Sequence, residues 1–103
     1  MEIIDAQKKV HELITHYGDY WEPLSMMARL TEETGELARA MNLKYGGKKS
    51  KFVGDGREIE KELADVLFTV LAIANSKNID LNEEFTEKIK ADFNKMKGVY
   101  FKE

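Results

Sequence analysis

Apolar and polar positions along the chain recur at helical spacing, and no segment alternates with period two for long enough to make a strand. Val10, Leu13 and Ile14 share one face of a first segment. This predicts a helix from about Ile3 to Tyr17, with Gly18 closing it at a left-handed C-terminal position. A second helix is expected from Pro23, which tolerates the first turn because it lacks only an N–H that has no partner there, to about Lys44, before Tyr45-Gly46-Gly47 stops it. Asp55-Gly56-Arg57-Glu58 reads as a capping box that opens a third helix with Asp55 as cap, running to about Ser76. Asp80 to Glu83 reads as a second such box, opening a helix that runs to about Lys97. The predicted fold is all-α with four helices, and the chain shows no internal repeat.

The segment KYGGKKSKFVGDG joins the second and third helices and carries four lysines and four glycines. It is either a solvated connector or a lid whose lysines meet an anion.

Length and charge narrow the functions. A chain of 103 residues fits one domain, spanning 1–103, with a modest core, so a ligand or a second copy of the chain is expected to add stability. Sixteen Lys plus Arg against nineteen Asp plus Glu leave a net charge of -3, which offers no basic footprint for nucleic acid. Without cysteine there is no disulfide framework, thiolate metal site or Cys nucleophile. MEIIDAQKKV lacks the apolar core of a signal peptide, and the most apolar run, VLFTVLAIA, is far too short to span a bilayer. A cytoplasmic protein that engages neither membrane nor nucleic acid is the expectation.

The chemistry concentrates in LTEETGELARA, which sets Glu32, Glu33 and Glu36 within little more than one helical turn. At an effective dielectric of about 20, each such pair of like charges at short range costs on the order of a few kcal/mol. Winding residues 24–43 on a helix predicts a buried stripe of Met27, Leu30, Thr34, Leu37 and Met41, with Glu33 and Glu36 on its flank and Glu32 nearly opposite. In the third helix, LADVLFTVLAIA holds one charge, Asp65, which is expected in a largely buried helix, with Glu62 one turn before it and Thr69 one turn after. A short connection favours antiparallel packing, which places Glu33 and Glu36 opposite Glu62 and Asp65 across one groove. No Arg or Lys within either strip is expected to neutralise four acids, and a buried carboxylate stays ionised only when paired, hydrogen-bonded or metal-bound. Oxygen donors without His or Cys describe a site for a hard cation, Mg²⁺ or Mn²⁺. A ferritin-like di-iron centre is disfavoured because Lys8 and Leu13, not Glu, stand three residues before His11 and His16.

EETGE followed after twenty-five residues by ELAD resembles the EExxE…ExxD signature of the MazG-like nucleoside triphosphate pyrophosphohydrolases, within the all-α NTP pyrophosphatase superfamily. PLSMMARLTEETGELARAMNLKYGGK and EIEKELADVLFTVLAIANSKNIDL are similar to the short single-domain, YpjD-type members. The resemblance implies an all-α protomer assembled as a homodimer or homotetramer, and Mg²⁺-dependent cleavage of a nucleoside triphosphate between its α- and β-phosphates. It implies metal ligands at Glu33, Glu36, Glu62 and Asp65, with Glu32 in the first, more variable role of the motif; its position nearly opposite the stripe gives Glu32 only an outer-shell or water-orienting role. Lys90, Asn94 and Lys97 resemble the pattern by which relatives reach substrate phosphates from the last helix, with Lys97 standing where Arg is common. Read without the family, those lysines are a basic helix end that favours the helix dipole. Trp21, Tyr45 and Phe52 could stack on a base, although Trp21 beside a helix start also reads as packing. The general base is left open between a metal-activated water and one of the same glutamates. The competing reading is a non-catalytic helical module that binds a metal or nucleotide and acts through protein partners.

Overall fold

The computed structural model describes residues 1–46 and 54–100, and side chains through residue 97. The basic connector's Lys48, Lys49 and Lys51, and Phe52, lie outside the described residues. Four helices follow in order: α1 (Ile3–His16), α2 (Pro23–Tyr45), α3 (Glu58–Ser76) and α4 (Leu81–Tyr100). Among the described residues there is no strand, and no helix is long and apolar enough to cross a membrane.

The helix ends follow local chemistry. Asp5 accepts the Glu2 N–H at the start of α1, and Gly18 just past its end takes φ +146°. Pro23 occupies the first turn of α2. At the end of α3, Asn78 adopts φ 56° while the Ile79 N–H donates to the Ala74 carbonyl and the Asn78 N–H to the Asn75 carbonyl. These paired bonds form a Schellman closure with asparagine in the left-handed position usual for glycine. Asp80 Oδ1 then accepts the Glu83 N–H at 3.2 Å and caps α4.

One expected cap is corrected. Asp55 does not cap α3, which begins at Glu58 after Arg57. Gly56 takes φ +82° and turns the chain, so Asp55 receives the Arg57 N–H and the Lys61 ammonium instead.

The core is small: Val10 of α1 packs on Leu71 and Ala72 of α3, with Ile3, Ala6, Ile14, Tyr20 and Leu81 around them. Beside it lies Gln7, a polar residue only 4% exposed. Its amide nitrogen donates to Asn75 Oδ1 at 3.0 Å and to the Ile79 carbonyl at 2.8 Å, and its oxygen accepts the Leu81 N–H at 3.0 Å. One side chain thereby fastens α1 to the end of α3 and the start of α4, with every polar atom satisfied.

The most extensive helix pairing is α2 on α3, while α4 leans chiefly on α1. The molecule extends 55 × 41 × 27 Å with a radius of gyration of 17.6 Å. A compact chain of this length is expected near 13 Å. Much apolar surface stays in solvent as a result, including Phe85, Ile89, Phe93 and Met96 along α4.

Candidate active site

The site begins with the face that α2 turns toward α3. The expected stripe through Met27, Thr34 and Met41 is displaced: Met26, Glu33 and Ala40 are the buried residues, with Leu30 and Leu37 half-buried between them. Met27 and Met41 remain 53% and 45% exposed. The helix has apolar residues on two adjoining stripes, and α3 covers the one that includes the small Ala40. Glu33, which a reading of hydropathy assigns to the flank, is consequently only 7% exposed.

The second correction concerns α3. Asp65 is exposed, as are Leu63 and Leu67, and burial begins at Thr69. The reason is α1, which covers only the C-terminal half of α3, where Leu71 and Ala72 meet Val10.

Helices α2 and α3 run antiparallel: Met26 and Arg29 share a cavity with Thr69 and Ala72, whereas Ala40 and Leu43 lie beside Glu58 and Ile59. That arrangement brings Glu33, Glu62 and Asp65 together, each offering a carboxylate oxygen within 4.8 Å of the other two. Glu62 Oε2 is shielded from solvent and meets no hydrogen-bond donor among the described residues. Burial pushes the Glu62 carboxyl above its usual range, and the negative charges of Glu36, Asp65 and Glu33 push it further. Glu36 is exposed and stands outside the tight group, yet it reaches the Glu62 carboxyl, which it raises both by its charge and by a side-chain hydrogen bond. Glu32 is exposed and belongs to no part of the cluster or cavity.

One cation of α2 does reach the acids. Arg29 Nε lies 2.7 Å from Glu33 Oε1, an i,i+4 pair within α2. The same guanidinium sits over the Trp21 ring at 5.8 Å from its centroid. One arginine offsets one of three acids, so the group as a whole stays negative.

Next to the acids opens a cavity of about 440 Å³, walled by Tyr17, Asp19, Tyr20, Trp21, Arg29 and Phe68 and reaching Glu33 and Asp65. Its size falls within the range of small-molecule pockets. Tyr20 is held in place by His11, whose Nδ1 is 2.8 Å from the phenol oxygen and whose ring stacks on it. Tyr20 also donates its N–H to Asp19 Oδ1 at 2.7 Å.

Of the expected substrate contacts, Trp21 lines this cavity. Tyr45 does not, and neither do Lys90, Asn94 and Lys97, all exposed on their helices. Lys90 lies 3.7 Å from Glu87 of its own helix. Sequence reasoning missed Arg29 and the aromatic walls at Tyr17, Tyr20 and Phe68. The spacing of Arg29 four residues before Glu33 was the available signal for the first.

Three acids converging without a matching set of cations fit a hard divalent cation. The unpartnered Glu62 oxygen is the atom in the cluster that most needs one.

The chain is similar to known proteins in both sequence and fold. The MazG nucleotide pyrophosphohydrolase domain matches residues 21–98. The uncharacterized protein YpjD of Bacillus subtilis (strain 168) is 45% identical over 91 residues, covering 87% of this chain and 81% of that protein. The crystal structure of YpjD from Bacillus subtilis superposes with a TM-score of 0.79 at 43% identity, over 91% of this chain and 96% of that one. A Bacillus-conserved MazG protein, a nucleotide pyrophosphohydrolase, superposes with a TM-score of 0.74 at 45% identity, over 90% of each chain.

Proposed function

This chain belongs to the MazG nucleotide pyrophosphohydrolase family, and from that premise we propose that it hydrolyses nucleoside or deoxynucleoside triphosphates, with Mg²⁺, to the monophosphate and pyrophosphate. Noncanonical nucleotides are included in the proposed substrate class. The observation that carries the reading is the carboxylate group of Glu33, Glu62 and Asp65, with one oxygen of Glu62 buried and unpartnered.

In this reading Glu33, Glu62 and Asp65 hold the cation, and Glu36 completes the ligand set from one turn further along α2. Mg²⁺, or Mn²⁺, would offset phosphate charge and acidify the attacking water. Glu32, on the far side of the helix, acts only through outer waters. No covalent nucleophile is required. The aromatic cavity beside the acids receives the base and sugar, with Trp21 as a stacking surface, which directs the phosphate chain toward the carboxylates. Tyr20, fixed by His11, holds the wall of that compartment.

We further propose that the chain, a single domain, works as a homodimer or homotetramer in the cytoplasm, without nucleic-acid or membrane partners. Support for self-association comes from the extended shape and the exposed rows on α2 and α4. Lys90, Asn94 and Lys97 line no part of the cavity of their own protomer, so in this proposal they meet substrate phosphates at a neighbouring copy. Light scattering at micromolar protein should report a multiple of 11.9 kDa; a stable monomer would remove this part.

Incubation with Mg²⁺ and a panel of ordinary and damaged nucleoside triphosphates, followed by mass spectrometry, tests the activity. Monophosphate and pyrophosphate are expected. Diphosphate and phosphate would mean a different bond is cleaved, and no product from any substrate would favour the non-catalytic module.

A further inference from the structure

Arg29 stands between the two halves of the site. Its Nε touches Glu33 at 2.7 Å, and its guanidinium lies over Trp21 at the cavity wall. The two partners differ in freedom: the Glu33 side chain is 9% exposed, that of Arg29 49%. The carboxylate is fixed and the guanidinium can swing. A divalent cation and a guanidinium on the same buried carboxylate repel each other, so the two compete for Glu33. A displaced guanidinium can keep the Trp21 face over which it already lies and turn into the adjoining cavity.

We propose that Arg29 is a partner-exchanging counterion. It neutralises Glu33 before the cation arrives, releases it when the cation binds, and then offers its planar set of N–H donors to the phosphate chain of the incoming nucleotide. Arginine suits that second role, since its fork matches two phosphate oxygens at once while lysine presents a point charge. The inference rests on the hydrolase reading above for its phosphate half, and on geometry alone for its cation half.

The exchange gives opposite signs for two ligands. Without nucleotide, Arg29→Met should bind Mn²⁺ about fivefold or more tightly than the natural protein, followed by electron paramagnetic resonance, because the internal competitor is gone. With saturating Mg²⁺, the same variant should bind a non-hydrolysable α,β-methylene nucleoside triphosphate about tenfold or more weakly. Arg29→Lys should keep Mn²⁺ affinity near that of the natural protein and lose affinity for the analogue. Circular dichroism establishes that each variant is folded, and Arg29→Lys carries the analogue test should Arg29→Met fail to fold. Unchanged or weaker Mn²⁺ binding in Arg29→Met would overturn the counterion role. Losses in the same direction for both ligands would make Arg29 a structural residue. Failure of the hydrolase reading looks different: the natural protein would bind Mn²⁺ with the predicted dependence on Arg29 but would cleave no nucleotide, and a natural protein that does not bind the analogue would overturn the phosphate half.

Discussion

The groove between α2 and α3 and the surface of α4 are both rich in charge, yet they handle it in opposite ways. In the groove, Glu33, Glu62 and Asp65 crowd together, Arg29 answers one of them, and one oxygen of Glu62 meets no donor among the described residues. On α4, signs alternate at helical spacing: Lys88 pairs with Asp92 at 2.9 Å and Lys90 lies 3.7 Å from Glu87, all with exposed side chains. Interleaved exposed charges satisfy themselves and add little. Converging charges of one sign are held against their repulsion by the packing of two helices, and they need something from outside the chain. The contrast is the reason the proposed cation site lies in the groove and not among the paired charges of α4.

Substitutions in the groove should have the largest effect. Asp65→Asn and Glu33→Gln are each expected to lower kcat/KM for nucleotide hydrolysis by more than about 100-fold, the scale at which loss of one preorganised charge-stabilising group is felt. Helix content by circular dichroism should stay near that of the natural protein. Activity within a fewfold of normal in both variants would break the comparison.

Acidity gives a mid-sized effect with a definite sign. The Glu62 carboxyl is raised above its ordinary value of 4.5 by burial, then by Glu36, Asp65 and Glu33. Between the ordinary and raised values the folded protein binds more protons than the unfolded one. The contribution to stability is therefore full below 4.5 and is lost as pH rises through the raised value. Thermal melts in a chelator should show the cation-free protein losing stability across that window. Glu62→Gln should flatten this slope and raise the melting temperature above the window by a few degrees. A parallel pH dependence in the two proteins would contradict the strain assigned to Glu62.

Loss of the exposed Lys88–Asp92 pair of α4 should have the smallest effect. Lys88→Ala removes an exposed i,i+4 pair and should cost no more than about 0.5 kcal/mol in denaturant unfolding, with no change in turnover. A larger loss would mean that α4 is buried in the assembly, and would sharpen the proposal that its apolar row meets a second copy.

Much of this was legible in the sequence, for physical reasons that differ by residue. The four helices are written in local signals: the Pro23 start, Gly18 at a left-handed end and the Asp80 cap each act within a few residues of themselves. Glu62 and Asp65 could be singled out because they sit one turn apart beside an apolar run. The displaced stripe on α2 was not legible, since two adjoining faces are apolar and only α3 decides which is covered. Burial of Glu33 follows from the same choice. The cavity was hidden because its walls come from α1, the segment after it, α2 and α3, so no local pattern joins Tyr17, Tyr20 and Phe68. Asp55 misled because Gly56 turns the chain before the helix can begin.

In the proposed function the groove is a cation site completed by Asp65. Calorimetric titration of Mg²⁺ into the natural protein and into Asp65→Asn, at one pH and in two buffers of different ionisation enthalpy, tests it most directly. Saturable binding to the natural protein is expected, with net release of protons as the raised Glu62 carboxyl ionises, and binding lost or greatly weakened in Asp65→Asn. Equal binding by both proteins, or none by either, would contradict it.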